Sequence, residues 1–223
     1  MATVPRFLQD PGGNYFLFGP RGTGKSTWLR LVHPGALVVD LLAPDVERRL
    51  AARPERLREL VAGHPDTQIV VVDEVQKVPA LLDVVHQLIE SAPRRRFVLT
   101  GSSARKLKRA GVDLLAGRAI LKSMHPFLAA ELGERFDFEL ALRQGLLPLV
   151  WDSHRADETL RAYVSLYLKE EVQTEGMVRN VGSFARFLEA VSFSQASMLN
   201  TSAVARECEV SRKTVEGYHI ILC

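Results

Sequence analysis

The stretch FLFGPRGTGKSTW, residues 16–28, constrains the chain more than any other. An apolar run ends in a loop that reads Gly19-Pro20-Arg21-Gly22-Thr23-Gly24-Lys25-Ser26, the pattern G-x-x-x-x-G-K-S/T. Glycines let the backbone curl so that successive N–H groups converge on phosphate oxygens, and the following helix adds its positive N-terminus. Phosphates are expected on Gly19, Pro20, Arg21, Gly22, Thr23, Gly24, Lys25, Ser26 and Thr27. Lys25 should bridge the β- and γ-phosphates, and the Ser26 hydroxyl should ligate Mg²⁺.

The flanking sequence supplies the context this loop requires. YFLF (15–18) reads as a buried strand, and a helix should begin within GKSTWLRLV. ALVVDL (36–41), IVVVDE (69–74), FVLTGS (97–102) and AILKSMHP (119–126) are further strand candidates, separated by helical patterns such as VPALLDVVHQLIESA. Leucines repeat at helical spacing from Pro44 to Ala62, with Pro54 expected to break the run. Alternating strands and helices predict an α/β fold with a parallel sheet and flanking helices. After about residue 127 the signals turn helical: ETLRAYVSLYLKEEV, SFARFLEAVSF, TSAVAREC and SRKTVEGYHIIL. The expected division is a nucleotide-binding core over 1–130, a helical lid or linker over 131–198 and a helix-turn-helix over 199–223.

Asp73 and Glu74 end an apolar strand 47 residues after Ser26 and are expected beside the loop. Asp73 would hold the Mg²⁺, mainly through water, and Glu74 would orient or deprotonate a water attacking the γ-phosphate. The next strand ends in Thr100-Gly101-Ser102-Ser103. Ser102, with Thr100 in reserve, is expected to sense the γ-phosphate; an N-cap of the following helix is the other role open to Ser102 or Ser103.

Composition adds bounds rather than function. With 223 residues, 47% of them hydrophobic and 25% charged, the chain has the make-up of a globular protein. No apolar stretch has the length of a membrane span and MATVPRFLQD lacks a signal-peptide core, so a cytoplasmic location is expected. Cys208 and Cys223 give no metal spacing or disulfide framework. The net charge of +3 permits nucleic-acid contact without demanding it. The clusters Arg94-Arg95-Arg96 and Lys106-Lys108-Arg109 read first as solvated faces.

GPRGTGKSTWL, VVVDEVQKVP, FVLTGSSARKL, LAGRA, MHPFLAAEL and GLLPLVW, with the C-terminal helix pair, together resemble the AAA+ superfamily of P-loop ATPases. Within it they are most similar to the prokaryotic group that joins an AAA+ core to a helical segment, a winged helix and a further C-terminal domain of unknown function. The resemblance implies ATP rather than GTP, a catalytic role for Glu74 and a first-sensor role for Ser102. It makes Arg118 a candidate arginine finger or sensor, against a loop-anchoring arginine, and a trans-acting arginine would imply a homo-oligomer. Chains of this group usually continue beyond the helix-turn-helix, so a truncated or unusually short member is expected.

The last segment, Thr201 to Leu222, reads as that helix-turn-helix, an incomplete winged helix. Ala205 would sit where the helices cross, Val210 after the turn, Ser211 at the second N-cap and Val215 as its anchor. Arg212, Lys213 and Thr214 are then candidates for contact with double-stranded DNA. A hairpin that packs against a protein partner fits the same residues. Glu209 occupies the turn position often held by glycine, where a left-handed backbone costs roughly 1–2 kcal/mol. Three functions stay open on sequence: an ATPase whose hydrolysis drives a conformational change, a slow ATP-dependent switch or scaffold, and a DNA-binding regulator.

Overall fold

Apolar runs rich in β-branched residues favour strands, and the turns between them carry glycine, proline and polar residues. The computed structural model describes residues 3–102, 107, 115–166, 180–194 and 197–222. The chain forms two compact units, Met1–Ala156 and Asp157–Cys223.

The first unit runs β1 (Tyr15–Phe18), α1 (Lys25–Val32), β2 (Leu37–Asp40), α2 (Pro44–Ala52), α3 (Arg56–Ala62), β3 (Ile69–Asp73), α4 (Leu81–Ser91), β4 (Arg96–Gly101) and β5 (Ile120–Ser123). Three short helices follow: α5 (Ala129–Leu132), α6 (Phe138–Gln144) and α7 (Pro148–Trp151). The strands are parallel, in the order β2-β3-β4-β1-β5. This is the expected α/β sheet, with every strand named from sequence present. Pro54 separates α2 from α3, since it cannot donate to the helical ladder.

Each central strand carries two interleaved apolar sets. Phe16, Phe18, Val70, Val72, Phe97 and Leu99 pack on one face with Leu50, Leu57, Leu81, Leu82 and Val85 of α2, α3 and α4. Tyr15, Leu17, Val71 and Val98 pack on the other with Trp28 and Leu29 of α1. Period-2 alternation buried on both sides is why these strands read as continuous apolar runs. Burying each such side chain contributes about 1.5–3 kcal/mol.

The register brings the polar strand ends together. Phe18 lies level with Gly101 of β4 and Ser123 of β5, and Asp40 lies level with Asp73. At the opposite end Arg96 pairs with Asp10 at 2.6 Å, and Arg95 donates to the Val61 carbonyl at 2.6 Å. Two arginines of the 94–96 cluster therefore have internal partners. Lys106, Lys108 and Arg109 lie outside the described residues, as do 167–179 and Cys223.

The described residues of the second unit form α8 (Ala156–Leu166), which starts at its boundary, α9 (Val181–Ser192), α10 (Thr201–Glu207) and α11 (Arg212–Leu222). Its core gathers Phe184, Phe187, Ala190, Val204, Ala205, Cys208, Val215 and Tyr218. The Tyr218 ring meets Phe184 edge-on, with centroids 5.2 Å apart. Asn180 and Asn200 cap α9 and α10, accepting from Ser183 and Ala203 N–H at 3.0 Å each. Ser211 caps α11 through the Thr214 N–H at 3.1 Å. Glu209, between α10 and α11, has a φ of 54°.

That left-handed glutamate gives a stability prediction. Glu209→Gly should stabilise the second unit by about 1 kcal/mol, because the native backbone there is one that glycine adopts without a Cβ penalty. Urea unfolding of the two proteins would measure it; equal stabilities would refute the strain.

Candidate phosphate and nucleotide site

The loop between β1 and α1 is fixed by close backbone packing. Gly19 N–H donates to the Gly101 carbonyl at 3.3 Å, and a Cβ on Gly19 would lie 2.1 Å from the Met124 carbonyl oxygen. Only glycine fits between β4 and the end of β5. Gly24 caps α1 at a φ of 89° with no side-chain cap bond, and a Cβ there would meet nothing within 4 Å. Lys25 is only 6% exposed, and its Nζ donates to the Gly19 carbonyl at 2.6 Å and the Pro20 carbonyl at 3.2 Å. Thr23 is buried and bonds the Pro20 carbonyl at 2.8 Å, while Pro20 and Thr27 are exposed and Arg21 and Gly22 partly so. The α7 residue Leu149 donates its N–H to the Gly22 carbonyl at 3.3 Å, bracing the loop from behind.

Beside the loop, β3 and β4 contribute a chain of hydrogen bonds. Ser26 Oγ donates to Asp73 Oδ2 at 2.7 Å, and Thr100 Oγ1 donates to Asp73 Oδ1. Glu74 N–H donates to Thr100 Oγ1 at 3.0 Å. Glu74 itself turns left-handed, at φ 59° and ψ 47°, which takes the chain out of β3 into a short 3₁₀ turn, Val75–Lys77. Its carboxylate accepts from Gln76 Nε2, which also donates to Ser102 Oγ at 3.3 Å. Asp73 and Glu74 are both largely buried. Ser26, Asp73, Glu74, Thr100 and Ser102 therefore share one bonded network next to Lys25.

The two hydroxyls named for the β4 end divide their tasks. Thr100 is fully buried and holds Asp73, whereas Ser102 is partly exposed and lies on the Gln76 amide. Arg118 is not brought to this cluster. It precedes β5, at the sheet end opposite the phosphate loop, and donates to Glu90 Oε1 at 2.8 Å. Its bond to Glu90 is the loop-anchoring arrangement named as the alternative to a finger or sensor. Gln76 and Arg6 were not singled out from sequence. Gln76 stands in plain view as a polar residue within DEVQKVP, but Arg6 carries no local signal.

Arg6 anchors the N-terminal segment to the site. Its guanidinium donates to the Thr23 carbonyl at 2.9 Å, the His125 and Pro126 carbonyls, and Glu131 Oε1 at 3.1 Å. It also lies 5.0 Å from the Phe127 ring centroid. This clamp walls a cavity of about 550 Å³ lined by Val4, Thr27, Trp28, Leu31, Phe127 and Pro148, among others. The volume is in the range of small-ligand sites, and the apolar lining beside a phosphate loop suits a flat ring.

A nucleotide with Mg²⁺ fits the groups present. The loop and the N-terminus of α1 would accept phosphate, Lys25 would supply the cation, and Ser26 with Asp73 would offer the hydroxyl and carboxylate oxygens that Mg²⁺ prefers while it keeps several waters. Among the described residues no three His, Cys, Asp or Glu side chains group to hold a metal by themselves.

The clamp also predicts a pH dependence. Burial raises the Glu131 carboxyl, but donation from Leu128 and Phe7 N–H groups and from Arg6 outweighs it, holding the group below its ordinary 4.5. A depressed carboxyl stabilises the fold above its unfolded value and ceases to do so as pH falls through the folded value. Glu131→Gln should cost about 3 kcal/mol at neutral pH. The gap to wild type should hold down to about pH 4.5 and close below it. Urea unfolding across this range checks both the size and the direction.

A model of an AAA domain family matches residues 13–133, and a model of a domain of unknown function (DUF8612) matches residues 135–223. No curated protein matches the chain. Among solved structures, AMPPCP-bound DnaA from Aquifex aeolicus is 13% identical, with 94% of this chain and 81% of that one covered at a TM-score of 0.43. The replication initiator DnaA bound to AMPPCP and single-stranded DNA is 15% identical, with coverages of 92% and 80% and a TM-score of 0.40. Likenesses this distant bear on neither ligand nor activity. The AAA match spans more than half of the chain and coincides with the sheet and phosphate loop, so the chain belongs to the AAA domain family, as an AAA+ P-loop ATPase core followed by a domain of unknown function.

Proposed function

We propose that this chain binds ATP with Mg²⁺ and hydrolyses it, and that the cycle drives a conformational change. The observation that carries the reading is the Ser26–Asp73 hydrogen bond at 2.7 Å, with Glu74 next in sequence and Lys25 in the adjoining loop. Bound Mg²⁺ would neutralise charge on the transferred phosphate. Ser26 and Asp73 would hold it, Lys25 would bridge the β- and γ-phosphates, and Glu74 would orient or deprotonate the attacking water. The base would enter the apolar cavity beside Trp28 and Phe127, with Thr27 at its phosphate end. The core is assigned to 1–130, the lid or linker to 131–198 and a helix-turn-helix to 199–223. A role for Arg118 on phosphate requires a second copy of the chain, and a cytoplasmic setting suits the chemistry.

Turnover should appear with Mg²⁺, vanish in Lys25→Ala, and rise steeply with protein concentration if copies share sites. Glu74→Gln should lower kcat by about 10²-fold or more while ATP affinity stays within a few-fold. Loss of ATP binding in that variant would show that Glu74 does not act on water. Tight ATP binding by the wild-type chain with negligible turnover would favour the slow switch.

For α10 and α11, charge favours a protein partner over DNA. Over residues 199–223 Arg206, Arg212 and Lys213 are matched by Glu207, Glu209 and Glu216. Arg212 pairs with Glu216 at 3.0 Å, and Thr214 bonds Ser211 at 2.8 Å. A phosphate-tracking surface gains its affinity from an excess of cations, and this one has none. Duplex binding should therefore be weak at low salt and unchanged in an Arg212→Ala, Lys213→Ala double variant. Strong, salt-sensitive binding abolished by that variant would restore the reading in which Arg212, Lys213 and Thr214 contact double-stranded DNA.

A further inference from the structure

Gln76 has no part in the reading above, yet it occupies the centre of the network. It is 94% buried, since only 6% of it is exposed, and its amide donates to both Glu74 Oε2 and Ser102 Oγ. Its carbonyl Oε1 is buried without a hydrogen-bond partner among the described residues. Rotating the amide by half a turn would aim that oxygen at the Glu74 carboxylate, so the donor must face Glu74 and the acceptor is left orphaned. Oε1 rests against Gly101, where an added Cβ would lie only 2.3 Å from it. Leaving a buried acceptor unmade opposes folding, and an apolar side chain of the same length would avoid that cost.

We propose that Gln76 is a positioning residue for catalysis: one amide aims the Glu74 carboxylate and ties it to Ser102, and Gly101 is the gap that admits it. The inference rests on the ATPase reading, with Glu74 as the group that acts on water. A carboxylate buried at a left-handed strand end needs donors to fix its direction, and the Gln76 N–H supplies one. Sharing that amide with Ser102 couples the base to the residue expected at the γ-phosphate.

The test uses the full chain and two readouts. Gln76→Met keeps length and removes both the donor and the orphan acceptor. Its melting temperature without nucleotide should stay within a few degrees of wild type, loss of the donor to Glu74 being offset by removal of the orphan acceptor, while kcat falls about 10–100-fold with KM within about threefold. Gln76→Glu, which keeps the shape and places a second carboxylate beside Glu74, should lose kcat similarly. Gly101→Ala should lower the melting temperature with Gln76 present and do so far less in a Gln76→Ala background, because the clash is with that side chain. Wild-type kcat in Gln76→Met or Gln76→Glu overturns the proposal, as does a melting temperature that drops in step with kcat in Gln76→Met. Equal effects of Gly101→Ala in both backgrounds overturn the packing half of it. If the wild-type chain itself turns over no faster than Lys25→Ala, the ATPase reading fails first, and a normal Gly101–Gln76 coupling in the melts would show that the packing survives it.

Discussion

A carboxylate cannot be left bare at the end of a buried strand. Asp73 follows four apolar residues in β3 and is itself largely buried, where an unpaired charge would cost several kcal/mol. Two hydroxyls meet it, Ser26 from the first turn of α1 and Thr100 from β4. That requirement joins three separate segments at one point. It sets α1 against the sheet, which fixes the loop before it, and Thr100 in turn receives the Glu74 N–H. The phosphate loop's position follows from satisfying one buried acid.

The fold was legible because both-face burial leaves a strong signature. Val70, Val71 and Val72 are apolar in succession since alternate side chains enter different cores. Proline at position 54 was legible for a covalent reason, and the left-handed Glu209 because a tight turn between helices demands that backbone. What escaped the sequence is long-range or geometric. The Arg6–Glu131 pair spans 125 positions, and nothing local distinguishes its two members from surface charges. Glu74 and Gln76 come together only because Glu74 adopts positive φ, and a strand-end glutamate does not advertise that torsion. The pairing of Arg118 with Glu90 was equally hidden, because sequence order says nothing about which end of a sheet a residue reaches.

The second unit rests on different physics. It is small, and its stability is concentrated in a ring cluster, Phe184, Phe187 and Tyr218, with the small residues Ala190 and Ala205 allowing helices to approach. Side-chain caps at Asn180, Asn200 and Ser211 define where its helices start. Among its exposed apolar side chains, Phe193 and Met198 stand outside that cluster.

The cavity beside the phosphate loop draws its wall from three stretches: residues 3–6, the α1 and Phe127 region, and Pro148 with Asp152. The first precedes the matched AAA segment, and the last belongs to the matched domain of unknown function. The two family segments are therefore not interchangeable cassettes. A chimaera joined between positions 133 and 135 would keep every residue of the phosphate motif and still inherit a foreign wall, so recombination at the family boundary alters ligand fit without touching the chemistry.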